Sequence, residues 1–349
     1  MTEPGGLWRR VKVTGLYTLS PLHCGIGQTA AAVDLPVARE AGSDFPVIPA
    51  SSIKGAARAL MRQRLSNEQI EALFGPDLDN PGEGASSGAK GGAALLGFTE
   101  GRLLAYPMRA FGQPFYYVTC PLLLDRLRRD LRLLPVSEAW RAWLNKPVPE
   151  NVLQEKAAVV SRSQVRAPLV IEDLVYGEKE VEAVPWLAET AALLGHELLP
   201  EKEAYTRQRL STYLVSIPDE DFAMLIRRVV PVRARTQLTD GKTTDKWKGP
   251  DGKEQSGNLW YEEYVPTETL FVTLVGQRRP GDGGAGNAPW GLELFEKQAD
   301  ALSLIQIGGN ETVGYGRCWW TGWATDGTAV PTGVDSADYG TPSIRSQEA

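Results

Sequence analysis

Residues 46–61 read PVIPASSIKGAARALM, two prolines followed by regularly spaced apolar residues. These apolar residues recur at the spacing of an α-helix and continue to Leu65 and Ile70, so a helix is predicted here. Ser51 and Ser52 precede the first periodic apolar residue and are the candidate N-caps. Upstream, residues 8–19 alternate between apolar and polar side chains and predict a strand. The order along the chain is therefore strand, glycine-containing loop and helix.

The rest of the chain continues this mixture of strands and helices. Strands are predicted at residues 93–98, 102–107, 115–119, 165–175 and 181–184, and a glycine-containing strand region at 305–323. Helices are predicted at residues 121–134, 186–199, 220–227 and 292–304, the first with Arg126, Arg128 and Arg129 facing water. These βαβ-like passages with hairpins between them predict an α+β fold of ferredoxin-like or RRM-like type with large insertions.

Three stretches lack apolar periodicity. Residues 77–92 and 278–289 are rich in glycine and other breakers and predict exposed loops. Residues 325–349 predict a disordered tail. We therefore expect one domain over residues 1–324, with a loop inserted at about residues 77–92.

The net charge and the local charge distribution point in opposite directions on nucleic-acid binding. The net charge of −6 argues against a general nucleic-acid binder, because phosphate contacts need Lys and Arg. Residues 227–253, however, hold eight basic residues and three acidic ones, and this local excess can attract phosphate. A solvated charged loop is the alternative.

The cysteine spacing and the hydropathy of the chain indicate the cellular compartment of the protein. Cys24, Cys120 and Cys318 lie far apart in the sequence and match neither a disulfide framework nor a zinc site, so we expect reduced, structural thiols. No run of ~20 apolar residues occurs, and the first residues do not resemble a signal peptide. We expect a cytoplasmic protein without a membrane segment.

Three segments, taken in order, carry a more specific signal. Residues 22–40 contain LHCGIG and then VDLPVARE, residues 46–58 contain the helix start, and residues 307–317 read IGGNETVGYGR. Together they resemble the RAMP superfamily of CRISPR proteins, whose members carry an IPGSSIKG-like turn early and a GG…GxGR loop late. Residues 102–121 and the run LWYEEYVPTETLF at 259–271 are similar to one branch, the repeated backbone endoribonuclease of type III-B, or Cmr, complexes. The type III-A backbone subunit is the nearest alternative.

The resemblance implies a metal-dependent endoribonuclease, with Mg²⁺ or Mn²⁺ as the divalent metal. Its catalytic aspartate and metal ligand matches Asp34, although a turn aspartate is the alternative. A carboxylate can hold Mg²⁺ against a phosphate or orient the ribose 2′-hydroxyl for attack. One carboxylate makes a poor metal site, so orientation of the RNA must contribute to the rate.

Four further residues are candidates for the cleavage site. His23 is a chemically natural general acid or base, ranked below Asp34, with packing or an RNA contact as the alternative. By resemblance, Glu262, Glu263 and Tyr264 adjoin the cleavage site and support the metal or stack on a nucleotide. The polar face of a strand is their alternative interpretation.

The resemblance also implies RNA contacts in three places. The helix start holds the guide backbone, since a helix N-terminus offers free N–H groups and a positive dipole end; a plain capped helix is the alternative. The late glycines allow close approach to a ligand, with a tight turn as the alternative. A β-hairpin thumb at about residues 228–262 wedges between guide and target. The residues assigned to RNA binding are Ser51, Ser52, Lys54, Arg58, Arg233, Arg235, Lys242, Lys246, Trp247, Gly308, Gly309, Gly314, Gly316 and Arg317.

The implied function is a backbone subunit that binds guide crRNA and cuts complementary target RNA at regular intervals. Its expected partners are crRNA, target single-stranded RNA, copies of itself in a helical stack, and other Cmr subunits. These subunits include a large polymerase/cyclase-like one and a small helical one. A non-catalytic crRNA-binding scaffold of a type III complex is the first alternative. A free-standing RRM-type protein is disfavoured, because no RNP-like aromatic run occurs.

Overall fold

The structure is a computed structural model. It describes residues 8–28, 33–76, 94–132, 134, 136–160, 165, 167–236, 246–248, 254–256, 259–278 and 291–322. The side chains of residues 9, 246–248, 254–256 and 300–302 are not described. The loop predicted at 77–92, residues 279–289 of the second loop and the tail predicted at 325–349 therefore lie outside the described residues. The one-domain assignment stays a prediction.

The elements of the described residues are numbered in chain order. The strands are β1 (Trp8–Thr18), β2 (Val47–Ile48), β3 (Leu96–Phe98), β4 (Gly101–Arg109), β5 (Phe115–Thr119), β6 (Ala157–Val159), β7 (Leu169–Ile171), β8 (Leu174–Tyr176), β9 (Val181–Ala183), β10 (Leu214–Ser216), β11 (Val232–Thr236), β12 (Lys246–Lys248), β13 (Glu254–Ser256), β14 (Leu259–Glu263), β15 (Leu270–Arg278), β16 (Leu304–Gln306) and β17 (Arg317–Thr321). The helices are α1 (Ala50–Met61), α2 (Asn67–Phe74), α3 (Pro121–Arg132), α4 (Glu138–Leu144), α5 (Glu150–Glu155), α6 (Pro185–Leu198), α7 (Ala204–Tyr213), α8 (Asp219–Val229) and α9 (Gly291–Leu302), with a 3₁₀ turn at Glu311–Val313.

Four strands and two helices form the central motif. In chain order they are β1, α1, β4, β15, α9 and β17. Across the sheet the strands lie in the order β17, β1, β15, β4, and each neighbouring pair is antiparallel. This is the βαββαβ arrangement of a ferredoxin-like fold, so the predicted fold class is confirmed.

A long insertion separates β4 from β15. Within it β5, β10, β6 and β9 extend the sheet beyond β4, and β7 and β8 form a separate hairpin. The insertion also contains the expected thumb: β11 pairs with β14, with Arg233 opposite Glu262, and β12 pairs with β13 farther along the hairpin. We call β11, β14 and the β12–β13 pair the thumb hairpin.

Apolar side chains pack on both faces of the sheet. Leu16 and Leu103 belong to the cluster that contains Ile53 of α1, whereas their neighbours Tyr17 and Leu104 belong to the cluster that contains α6. This alternation follows from the two-residue period of a strand. Among the helices that the structure describes, none combines the length and apolar character needed to cross a bilayer.

The helix prediction after residue 50 is wrong in two respects. Pro49 occupies the N-cap of α1 without a side-chain cap, so Ser51 and Ser52 lie inside the first turn. The helix does not continue to Ile70, because Ser66 and Gln69 form a capping box that starts α2.

The prediction that Arg128 faces water is also wrong. Its guanidinium donates hydrogen bonds of 2.7 to 3.1 Å to the carbonyl oxygens of Trp143, Leu144 and Lys146. It also lies 4.9 Å from the Trp143 ring, and burial lowers the pKa of Arg128. The acceptors come from the end of α4, a helix that the sequence pattern did not predict, so the buried partner of Arg128 was not foreseeable.

Candidate functional site

Segments distant in sequence meet at the base of the thumb hairpin. We call residues 21–28 the early loop and residues 307–316 the glycine loop. The Gly309 N–H donates to the His23 carbonyl at 2.9 Å, which joins the two loops. Leu22 and Val265 exchange two backbone hydrogen bonds of 2.8 Å, which joins the early loop to the chain just after β14. The early loop and the glycine loop, which belong to the first and last motifs of the sequence, therefore meet beside the thumb hairpin.

The glycines at 308, 314 and 316 adopt φ values of +81°, +85° and +80°. A Cβ at Gly308 would lie 2.4 Å from the His23 carbonyl oxygen, and one at Gly316 would lie 2.0 Å from the Ile307 carbonyl oxygen. At these two positions, the missing side chain therefore makes room for the protein's own backbone and not for a ligand. Gly314 is exposed and faces open space, so it is the position left for a ligand.

Glu262 is the hub of this junction. Its side chain is 2% exposed. It forms an ion pair with Arg235 on the neighbouring strand, and it accepts a hydrogen bond from the side-chain amide of Asn310 in the glycine loop. His23 Nδ1 lies 3.5 Å from Glu262 Oε1. A buried carboxylate needs such partners, and these three tie the thumb hairpin to both loops.

His23 is held in one orientation. Its Nδ1 lies 2.7 Å from the Glu263 carbonyl oxygen. A carbonyl can only accept, so Nδ1 carries the proton and Nε2 is the acceptor of the neutral ring. Nε2 faces Gly25, where an added Cβ would lie 2.6 Å away, and the ring is largely buried. His23 therefore packs in the junction more than it faces solvent.

Asp34 is presented at the outer edge of β14. Its Oδ2 accepts a 2.8 Å hydrogen bond from the Tyr261 backbone N–H. Among the described residues, Oδ1 has no hydrogen-bond or ion-pair partner. Asp34 is half-buried, and it is the one carboxylate of the predicted set with an oxygen left to engage a substrate.

Glu263 and Tyr264 have different surroundings. Glu263 accepts a hydrogen bond from Arg39 at 3.2 Å and one from the Val37 backbone N–H at 3.1 Å. The Tyr264 ring lies 4.9 Å from the Arg233 guanidinium and 5.9 Å from the Tyr315 ring. Glu263 thus holds a loop, and Tyr264 belongs to a stacked group of rings and cations.

Arg233 and Arg235 project from β11 toward the glycine loop. Arg233 donates a 2.7 Å hydrogen bond to the Tyr315 hydroxyl and is otherwise exposed. Arg235 pairs with Glu262 and lies 4.9 Å from the Tyr315 ring. Arg233 has an accessible guanidinium for RNA, whereas the charge of Arg235 is offset within the protein.

The helix start lies on the same flank as the glycine loop. α1 contacts β16, which leads directly into that loop, and Ile53 shares a core cluster with Ile307. The first turn of α1 contains no acidic residue and no side-chain cap. Lys54 is half-buried and Arg317 is exposed, and neither has an ion-pair partner among the residues described. This flank therefore offers unneutralised positive charge.

Three predicted residues of the thumb are only partly placed. Lys242 lies outside the described residues, and Lys246 and Trp247 lie in β12 with undescribed side chains. Arg58 donates to the Pro76 carbonyl at 3.3 Å, on the exposed side of α1.

The described residues do not build a metal site by themselves. No group of three or more His, Cys, Asp or Glu in the described ranges is arranged to hold a metal ion. Glu262 and Glu263 are occupied by Arg235 and Arg39, which leaves Asp34 as a single donor. A resident metal ion, which needs several oxygen ligands, does not fit this donor set.

Sequence reasoning missed Arg39, Asn310 and Tyr315. Asn310 had one usable signal, because an asparagine that directly follows two glycines is suited to a left-handed turn, and its φ is indeed +63°. Arg39 and Tyr315 had none, since their partners lie 224 and 82 residues away in sequence.

Comparison with known proteins places this chain in a family. A family model described as the RAMP superfamily matches residues 16–319, and the chain belongs to that superfamily. It is 29% identical over 314 residues to the "CRISPR system Cmr endoribonuclease Cmr4" of Pyrococcus furiosus, which covers 87% of this chain and 92% of that protein.

Two solved structures share the fold. Oligomeric Cmr4 from Pyrococcus furiosus aligns with a TM-score of 0.62 at 24% identity, covering 89% of this chain and 96% of that one. A chain of the type III-B Cmr-beta complex bound to cognate target RNA aligns with a TM-score of 0.59 at 21% identity, covering 90% and 98%. Both likenesses support the ferredoxin-like assignment.

Proposed function

We propose that this protein is the repeated backbone subunit of a type III-B CRISPR complex, binding guide crRNA and cutting complementary target RNA. The observation that carries the proposal is the meeting of Asp34, the glycine loop and the thumb hairpin at one junction. Superfamily membership supports it, as does the likeness to a relative named an endoribonuclease.

The guide would lie along the flank formed by α1 and the glycine loop. The uncapped first turn of α1 offers backbone N–H groups and a positive dipole end to a phosphate. Lys54 and Arg317 add full charges that have no ion-pair partner in the described part of the chain. The exposed Gly314 lets a nucleotide backbone approach closely. The target strand would lie on the other side of the thumb hairpin, within reach of Asp34.

Cleavage would use the 2′-hydroxyl of the target RNA as the nucleophile. Asp34 takes the proton from that hydroxyl, the 2′-oxygen bonds to the adjacent phosphorus, and the bond from phosphorus to the 5′-oxygen breaks. The leaving 5′-oxygen takes a proton from water. The products are a 2′,3′-cyclic phosphate and a 5′-hydroxyl. Holding the two oxygens in line supplies much of the rate through orientation.

The proposal keeps a divalent ion, Mg²⁺ or Mn²⁺, as a cofactor that comes with the RNA. Because the described residues lack a metal-binding cluster, RNA oxygens would be its ligands, and the free oxygen of Asp34 would remain available to take the proton. When bound, such an ion would neutralise charge on the phosphate.

The proposed partners are crRNA, target RNA, further copies of this chain and other Cmr subunits, in a complex within the cytoplasm. The other subunits include the large polymerase/cyclase-like subunit and the small helical one. The related proteins named above are an oligomeric Cmr4 and a Cmr-beta complex bound to target RNA, which supports stacking and RNA as partners.

A non-catalytic scaffold is the second candidate. One observation favours it: Glu262 and Glu263 are engaged within the protein, and His23 is largely buried, which leaves Asp34 alone. In that case Asp34 would only attach its loop to β14.

Reconstitution with neighbouring subunits, guide crRNA and labelled target separates the two candidates. The proposal predicts cuts at evenly spaced sites in guide-matched RNA, and electron microscopy should show identical copies of this chain stacked along one RNA. Assembly with intact target RNA would favour the scaffold. A monomer that binds RNA without a guide would contradict both.

A further inference from the structure

Residues 34–39, here the edge segment, run along the thumb hairpin. Leu35 pairs in parallel with Glu262: its N–H donates to the Tyr261 carbonyl, and its carbonyl accepts from the Glu263 N–H, both at 3.0 Å. β14 therefore has β11 on one side and the start of the edge segment on the other. Asp34 and Leu35 are attached to the thumb hairpin by these bonds.

From residue 37 onward the edge segment is attached to the central domain instead. Val37 pairs with Gly25, and the Ala38 N–H donates to the Cys24 carbonyl at 2.7 Å. Between residues 35 and 37, the edge segment therefore passes from the thumb hairpin to the early loop. The contacts that hold residues 35–37 in place determine where Asp34 lies relative to a bound RNA strand.

Both carboxylate oxygens of Glu263 accept hydrogen bonds from the edge segment. Oε2 accepts the Val37 N–H at 3.1 Å, and Oε1 accepts from Arg39 Nη2 at 3.2 Å. Arg39 in turn donates through Nη1 to the Asp44 carbonyl at 3.0 Å. The Glu263 and Arg39 side chains are 14% and 17% exposed, so water replaces these contacts poorly. Both carboxylate oxygens are committed to the edge segment.

We infer that Glu263 is a positioning residue that fixes Asp34 against the target strand. This inference rests on the proposed function and assigns Glu263 no contact with RNA or metal. Without its carboxylate, the Val37 N–H and Arg39 Nη2 lose their acceptor, and the bonds of Asp34 and Leu35 to β14 are left to hold this end of the edge segment. A shift of about 1 Å in a reacting group can lower a rate by about 10²-fold.

Single-turnover cleavage by the assembled complex tests the inference. Glu263→Ala should lower the cleavage rate by about 10²-fold and leave the affinity for target RNA unchanged. Glu263→Gln keeps one acceptor oxygen, so its rate should fall between Glu263→Ala and wild type. The pH–rate profile should keep its acid limb, because Asp34 remains the proton acceptor. Glu40→Ala is the matched control: it breaks a 2.6 Å ion pair with Arg126 of similar exposure and should leave the rate unchanged.

A second readout does not depend on cleavage. Hydrogen exchange of the Val37 amide should become faster in Glu263→Ala, with protection of the central sheet retained. Unchanged exchange and an unchanged rate would overturn the inference, as would loss of the acid limb, which would give Glu263 a direct proton-transfer role. If the wild-type complex leaves target RNA intact, the proposed function fails, and the exchange measurement still decides whether Glu263 holds the edge segment.

Discussion

The side-chain amide of Asn310 donates to the buried carboxylate of Glu262, which ties the glycine loop to the thumb hairpin. Glu262 also pairs with Arg235 from β11. Asn310 and Glu262 lie 48 positions apart in sequence, so only the folded chain brings them together. The junction is therefore a set of buried polar contacts as well as backbone pairs, and it should respond strongly to the loss of one charge.

Glu262→Gln should lower the free energy of unfolding by about 3 kcal/mol, since it leaves the Arg235 guanidinium without a charged partner. Chemical denaturation measures the change. Glu293→Gln is the control: its ion pair with Arg10 is 57% and 45% exposed on the two sides, so the expected loss is only about 0–1 kcal/mol. Equal losses in the two variants would show that Glu262 is not a structural hub.

Gly316→Ala should destabilise the glycine loop more than Gly314→Ala. Both glycines have positive φ, which costs about 1 kcal/mol or more for alanine. Only at Gly316 would the new Cβ also meet a backbone atom, the Ile307 carbonyl oxygen at 2.0 Å. The midpoint of thermal unfolding should therefore be lower for Gly316→Ala than for Gly314→Ala. The opposite order would contradict the loop geometry.

The three thiols should resist alkylation in the folded protein. Cys24, Cys120 and Cys318 are free and buried. Burial raises the pKa of Cys24 to about 12 and raises that of the other two as well, so the reactive thiolate is scarce at pH 8. Iodoacetamide followed by intact mass analysis should give no adduct in native protein and three after unfolding. Rapid native labelling of Cys24 would mean that the early loop opens.

Removal of divalent metal should stop cleavage without affecting the RNA-free protein. The described residues provide no cluster for a metal ion, so Mn²⁺ titrated into the protein alone should bind with a Kd on the order of 1 mM or weaker. Calorimetry measures that binding, and EDTA added to the assembled complex tests the reaction. A micromolar metal site in the RNA-free protein, or full activity in EDTA, would refute the proposal that the ion is bound through the RNA.

The sequence was informative where a pattern is local. Alternation along β1 and the apolar spacing of α1 predicted the first half of the ferredoxin-like motif, and β5 was predicted at its observed bounds. Between residues 133 and 217, the strand at 181–184 and the helix at 186–199 were predicted close to their observed bounds. The short elements α4, α5 and β6 were not predicted, because they have too few residues to show a period. There, tertiary packing around buried groups such as Arg128 decides the structure.

The candidate site divides in the same way. Asp34, the helix start and the glycine loop were found because each belongs to a contiguous motif. The roles within the junction were not found, because they depend on pairs such as Arg39 with Glu263 that only the folded chain brings together. Glu262 and Glu263, two residues of the same type, also contact partners on opposite faces of β14, as successive residues of a strand do.

Asp34 is the proposed catalytic group, so its substitution is the most direct test of the proposed function. Asp34→Asn keeps an acceptor for the Tyr261 N–H, 2.8 Å away in wild type, but removes the base. Asp44→Asn is the control: this residue lies on the following turn at φ +65°, which asparagine tolerates. In complexes assembled with guide crRNA, Asp34→Asn should slow target cleavage by at least about 10²-fold with target binding intact, and Asp44→Asn should cut normally. Wild-type cleavage by Asp34→Asn would contradict the assignment of this residue as the catalytic group.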